Sequence, residues 1–206
     1  MKENEIQDEL TSIRNLMERS SKFISLSGLS GILAGVYALI GAGLAYFAVY
    51  RGPVEVYKNL SAGIYPPTLF YLFFVAFMVL VLSLVSGYIL TKRKADKNGQ
   101  PVWGKVSRAL LFYMATPLVT GGVLILIFIF RGYYGIVGPS SLIFYGLALI
   151  GASNFTFTLV KYLGLCEIVL GLAAACLPGY GLLFWAIGFG VLHIVYGTLM
   201  HFKYDR

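Results

Sequence analysis

The sequence predicts an all-α integral membrane protein, a bundle of six transmembrane helices preceded by a cytoplasmic amphipathic helix. Two observations carry the fold class. Of 206 residues, 58% are hydrophobic and only 12% charged, where a soluble domain carries about 25% charged residues. The apolar residues also come in long runs; all but the fifth, which has sixteen residues, are enough to cross a hydrocarbon core of ~30 Å at ~1.5 Å per residue. A third observation, the placement of the bases, sets the orientation. The chain divides into residues 1–22, the polar helix, and 23–206, the six-span domain.

In the first segment, Ile6, Leu10, Ile13 and Met17 recur at spacings of four, three and four, one stripe of a helix. Acids lead (Glu3, Glu5, Asp8, Glu9) and bases follow (Arg14, Arg19, Lys22), an order that complements the helix dipole. Glu18 and Lys22 are spaced to pair one turn apart. The acidic start and the long apolar run after it do not fit a signal peptide. This helix is expected to lie on its own bundle or to dock a protein partner.

Six apolar runs follow, near Phe23–Tyr50, Pro66–Thr91, Ser107–Phe130, Ser140–Val160, Tyr162–Leu177 and Gly181–Phe202. Lys161 and the turn Leu177-Pro178-Gly179-Tyr180-Gly181 punctuate the last three. Pro117 lies inside the third run and is expected to kink it. Between the first two runs, Pro53 is placed to open a short interfacial helix.

Orientation follows from the connections. With the N-terminus inside, thirteen of the sixteen bases fall on the cytoplasmic side, six of them in Lys92, Arg93, Lys94, Lys97, Lys105 and Arg108. Arg51, Lys58 and Arg131 remain outside. That bias predicts both termini in the cytoplasm of a plasma or inner membrane. It also accounts for the net charge of +7 by lipid-flanking bases, without nucleic acid. Tyr46, Tyr50, Tyr65, Tyr71, Tyr133, Tyr134 and Tyr180 gather at the opposite boundary as an aromatic belt.

Gly31 and Gly35 form a GxxxG on the first run, a face for close helix packing within the chain or for a homo-oligomer. The segment Ala38–Ala42 recurs as Ala148–Ala152, a match of common residues that composition alone explains.

The residues that bear on function are the polar ones inside apolar runs, because a charge at membrane depth is costly and needs a reason. Glu167 shares a helical face with Gly164, Gly171 and Ala174, and His193 with Gly190, Gly197 and Ala186. Asn154 lies in line with Gly151, Thr158 and Lys161. Faces of small residues turn toward other helices. The candidate is therefore a polar cluster of Glu167, His193, Asn154 and Lys161 in the cytoplasmic half. It is either a solute or proton site or a self-satisfied core that fixes helix register.

Metal and cofactor chemistry have no support. The two histidines sit eight apart on one run, Cys166 and Cys176 ten apart on another, and no nucleotide, zinc or hydrolase motif is present. Two functional classes remain: a non-enzymatic membrane subunit or interaction protein, the first reading, and a small-solute or proton-coupled transporter or channel, the alternative.

Overall fold

In a computed structural model, residues 26–50, 66–99 and 101–205 are described. The expected N-terminal helix and the interfacial helix after Pro53 lie outside them. Every regular element among the described residues is helical, and six helices are long and apolar enough to cross a membrane. They are α1 (Gly28–Tyr50), α2 (Pro66–Lys97), α3 (Lys105–Phe130), α4 (Val137–Ser153, entered through a 3-10 turn at Tyr134–Ile136), α5 (Thr158–Cys176) and α6 (Gly181–Asp205). Within α6, Ala186–Leu192 and His201–Asp205 are wound as wider π-helix.

Four boundaries differ from the sequence expectation. Helix α2 runs on from Thr91 to Lys97, because Lys92–Lys97 are helix formers and Lys94 and Lys97 suit the negative end of its dipole. Helix α4 begins before Ser140, at Val137, and ends at Ser153 rather than Val160. There Ser153 Oγ bonds back to Ile150 O, and Phe155 N closes a turn on Ala152 O at 2.9 Å. Phe157 is extended, and α5 starts at Thr158. Lys161 is thus inside the first turn of α5, not between two spans. The turn residues Ser153-Asn154 sit beside Phe155 and Phe157, whose hydrophobicity hid the break.

Helix α3 ends in a Schellman turn: Tyr133 N bonds Phe128 O at 2.8 Å and Gly132 N bonds Ile129 O at 3.0 Å. Gly132 has φ +80°, a value that suits glycine. Pro117 has no N–H to give to the carbonyl four residues back, that of Tyr113. That carbonyl faces Gly151 of α4, where an added Cβ would lie 3.1 Å from it. The proline therefore shapes the α3–α4 contact.

The packing is carried by glycines. Helix α1 lies on α6, α4 lies on α5, α2 packs against α1 and α3 against α4. A Cβ on Gly35 would fall 2.6 Å from Gly190 O and 2.7 Å from Ile194 Cγ1. A Cβ on Gly146 would fall 2.6 Å from Gly164 O and 2.7 Å from Ile168 Cγ1. The two antiparallel pairs are built alike. In lipid, where apolar tails remove the hydrophobic drive, such close backbone approach is what holds helices together. The Gly31/Gly35 face, a candidate for a homo-oligomer, is occupied by α6 of the same chain, against Gly190, Ile194 and Gly197.

Candidate functional site

The glycine pattern positions the polar centre. Gly164-Leu-Cys-Glu167-Ile168-Val169-Leu-Gly171 on α5 matches Gly190-Val-Leu-His193-Ile194-Val195-Tyr-Gly197 on α6. Glu167 and His193 occupy the same place in this octet. Glu167 is nine residues from either end of α5, and His193 twelve from either end of α6. Glu167 therefore lies about 13 Å from each end of its helix, at ~1.5 Å per residue. The pair meets at the middle of the bundle, not in the half nearer the basic connection as the sequence suggested. Lys161, which reads in the sequence as the boundary between two spans, is itself inside α5.

Glu167 is completely buried and His193 is 7% exposed. His193 Nδ1 is 3.0 Å from Gly188 O and 3.5 Å from Glu167 Oε1, and its Nε2 is 2.8 Å from the Tyr145 hydroxyl. A carbonyl only accepts, so Nδ1 carries a proton and donates it to Gly188; in the neutral ring Nε2 then accepts from Tyr145. The ring is further held against Phe189, with centroids 5.9 Å apart and near-parallel planes. Gly188 lies in the wide stretch Ala186–Leu192, a winding that recurs at functional sites.

Among the described residues, neither carboxyl oxygen of Glu167 has a hydrogen-bond partner; Oε1 has only the 3.5 Å contact with His193 Nδ1. The carboxyl is walled by Gly188 and Leu142: a Cβ on Gly188 would be 2.5 Å from Glu167 Oε2 and 2.5 Å from Leu142 Cδ2. Glycine at 188 is what leaves room for the acid.

Of the four residues proposed from sequence, the structure brings together Glu167 and His193. Asn154 is exposed in the turn after α4, its amide bonded only locally to Gly151 O at 3.2 Å. Lys161 is exposed on the first turn of α5. Both are corrected out of the cluster, because the α4–α5 turn falls between them and carries each to the end of the bundle. Tyr145 and the Gly188 carbonyl take their places. The octet repeat marks Glu167 and His193 as equivalent, but nothing local marks Tyr145.

A second polar cluster closes the end that bears the basic connection. Asp205 Oδ2 accepts from Gly28 N at 2.8 Å and from Ser27 Oγ at 3.2 Å, capping the N-terminus of α1 from α6. Lys94 of α2 donates to Asp205 Oδ1 at 2.5 Å and to Leu26 O at 3.0 Å. His201 Nδ1 is 3.1 Å from Asp205 Oδ2. One carboxylate thus ties α1, α2 and α6. Its signal in the sequence is an acid in a basic tail, Asp205 between Lys203 and Arg206.

At the opposite end a cavity of about 450 Å³ is bounded by α1, α2, α3, α4 and α6. It is lined by Ala42, Val75, Ile125, Val137, Leu182 and Trp185 among others, nearly all apolar. No His, Cys, Asp and Glu grouping suited to a metal occurs among the described residues.

These features describe a helical chain with six helices long and apolar enough to cross a membrane, a buried acid–histidine pair at its centre and a charged clasp at one end. No family model, curated protein or solved structure matches the chain.

Proposed function

We propose that the chain is a non-enzymatic membrane subunit, with both termini in the cytoplasm and its partner met by residues 1–22 and the basic connection 92–108. The observation that supports this best is the closed centre. A carrier needs a polar site that faces an aqueous path. Glu167 is wholly enclosed, and the apolar cavity at the opposite end of the bundle is lined by none of Glu167, His193 and Tyr145. The bilayer is the other constant partner, contacted by the apolar flanks of α2 and α3, whose buried residues are few.

The test is reconstitution. Proteoliposomes carrying the full chain and a trapped pH-sensitive dye should dissipate an imposed pH gradient no faster than empty vesicles. Flux that depends on Glu167, absent in Glu167→Gln, would replace the subunit reading with proton-coupled transport. That second reading has one observation in its favour: a buried carboxyl with both oxygens unpartnered at mid-depth, an arrangement that calls for a functional explanation.

A further inference from the structure

We propose that Glu167, His193 and Tyr145 form a proton-binding site at the centre of the bundle, and that loading of the Glu167 carboxyl sets the winding of α6 at Gly188. The inference goes beyond the subunit reading and does not depend on it, since a bound proton can report to a partner as well as cross a membrane.

The first ground is what the site has room for. Glu167 is fully buried and both its oxygens lack a hydrogen-bond partner among the described residues. A buried polar group without a partner is met by water, by an ion or by a proton. Water needs a cavity with several polar neighbours. Here Leu142 and Gly188 close on the carboxyl so tightly that one added carbon at Gly188 would sit 2.5 Å from Oε2. A cation would need several oxygen ligands at 2 Å or more, which this wall does not offer. A proton needs no volume.

The second ground is the two-sided donor beside it. His193 Nδ1–H lies 3.0 Å from Gly188 O and 3.5 Å from Glu167 Oε1. In the loaded state the acid keeps its own proton and the ring donates to Gly188. On unloading, the carboxyl O–H bond breaks, the proton leaves to bulk solvent and a carboxylate remains. The Nδ1–H then turns from Gly188 O to Glu167 Oε1, while Tyr145 still donates to Nε2. No electron is transferred and one proton is lost. The wide turn at Ala186–Leu192 thereby loses the side-chain contact that favours it over α winding, in which Gly188 O accepts from Leu192 N–H.

Among the described residues, the titratable groups facing Glu167 are Tyr145 from α4 and His193 from α6. On α5 itself, Cys166 turns instead to the Tyr196 hydroxyl at 3.7 Å, and Lys161 is exposed six residues away. Asp205 and Lys94 satisfy each other at the end of the bundle.

The test uses the full chain in lipid nanodiscs, with carbon-13-labelled glutamate and infrared difference spectra in water and heavy water. At neutral pH the wild type should display the carbonyl band of a protonated, isotope-shifted carboxylic acid. The band should persist in Asp205→Asn and vanish in Glu167→Gln. Alkaline titration should convert it one-for-one into a carboxylate band. Hydrogen exchange at amides 186–193, taken as a ratio to Glu167→Gln to remove intrinsic rates, should change across the same titration. Absence of an acid band in the wild type overturns the proton site. A titrating band with an unchanged exchange ratio overturns the coupling to α6. Glu167→Met replaces Glu167→Gln as the reference if the amide variant does not insert.

Discussion

Replacing Glu167 with methionine should stabilise the bundle. A structural role for the acid would require hydrogen bonds, and among the described residues Glu167 makes none: both oxygens are buried without a hydrogen-bond partner. A buried polar group left without a partner costs about 1–3 kcal/mol. Methionine is similar in length, lacks the polar oxygens and adapts to irregular space. It strands no partner, because His193 Nδ1 keeps Gly188 O at 3.0 Å and Nε2 keeps Tyr145 at 2.8 Å. A swap that conserves volume carries a repacking cost below about 1.5 kcal/mol. The balance is a gain of about 1 kcal/mol, up to 3 kcal/mol if repacking is free. The measurement is reversible unfolding in mixed micelles, wild type beside Glu167→Met and Glu167→Gln. The amide variant keeps polar atoms in the same wall and should not gain. A loss of more than about 1 kcal/mol in Glu167→Met would refute the reasoning, because it would mean the carboxyl is bonded in the native state. A residue kept against stability is the pattern expected of a working group.

Three further outcomes test the packing and the orientation. Gly35→Ala should lose about 1–3 kcal/mol, since its Cβ would meet backbone at 2.6 Å, whereas Gly43→Ala and Gly122→Ala, open on that side, should be near neutral in the same unfolding assay. Asp205→Asn should cost about 1.5–3 kcal/mol, because its carboxylate is 9% exposed and holds charge-assisted bonds to Lys94, Gly28 and Ser27; a double-mutant cycle with Lys94→Met should recover most of that as coupling. Cys176, exposed at the end of α5 away from the basic connection, should react with a membrane-impermeant maleimide on intact cells, while Cys166, bonded to Tyr196, should not; labelling of Cys176 only after lysis would reverse the proposed topology.

Hydropathy and length determined the helical class and the six helices long and apolar enough to span a membrane, because each apolar run satisfies its backbone groups within its own helix. Glu167 and His193 were also legible, since an ionisable residue on a glycine face stands out against such a background. What the sequence did not determine was who meets whom. Asn154 and Lys161 looked like cluster members at helical spacing, until the chain turned between Ser153 and Thr158 and carried both to the end of the bundle. Tyr145 looked like any tyrosine, and Gly188 like any small residue. They become the ring's two partners only when the Gly146–Gly164 contact sets α4 on α5, the Gly35–Gly190 contact sets α6 on α1, and the wide turn aims one carbonyl at an imidazole. Partition into lipid is a property of each segment alone. Register and depth depend on backbone contacts between segments far apart in the chain, where one missing Cβ decides which helices close and which polar atoms they enclose.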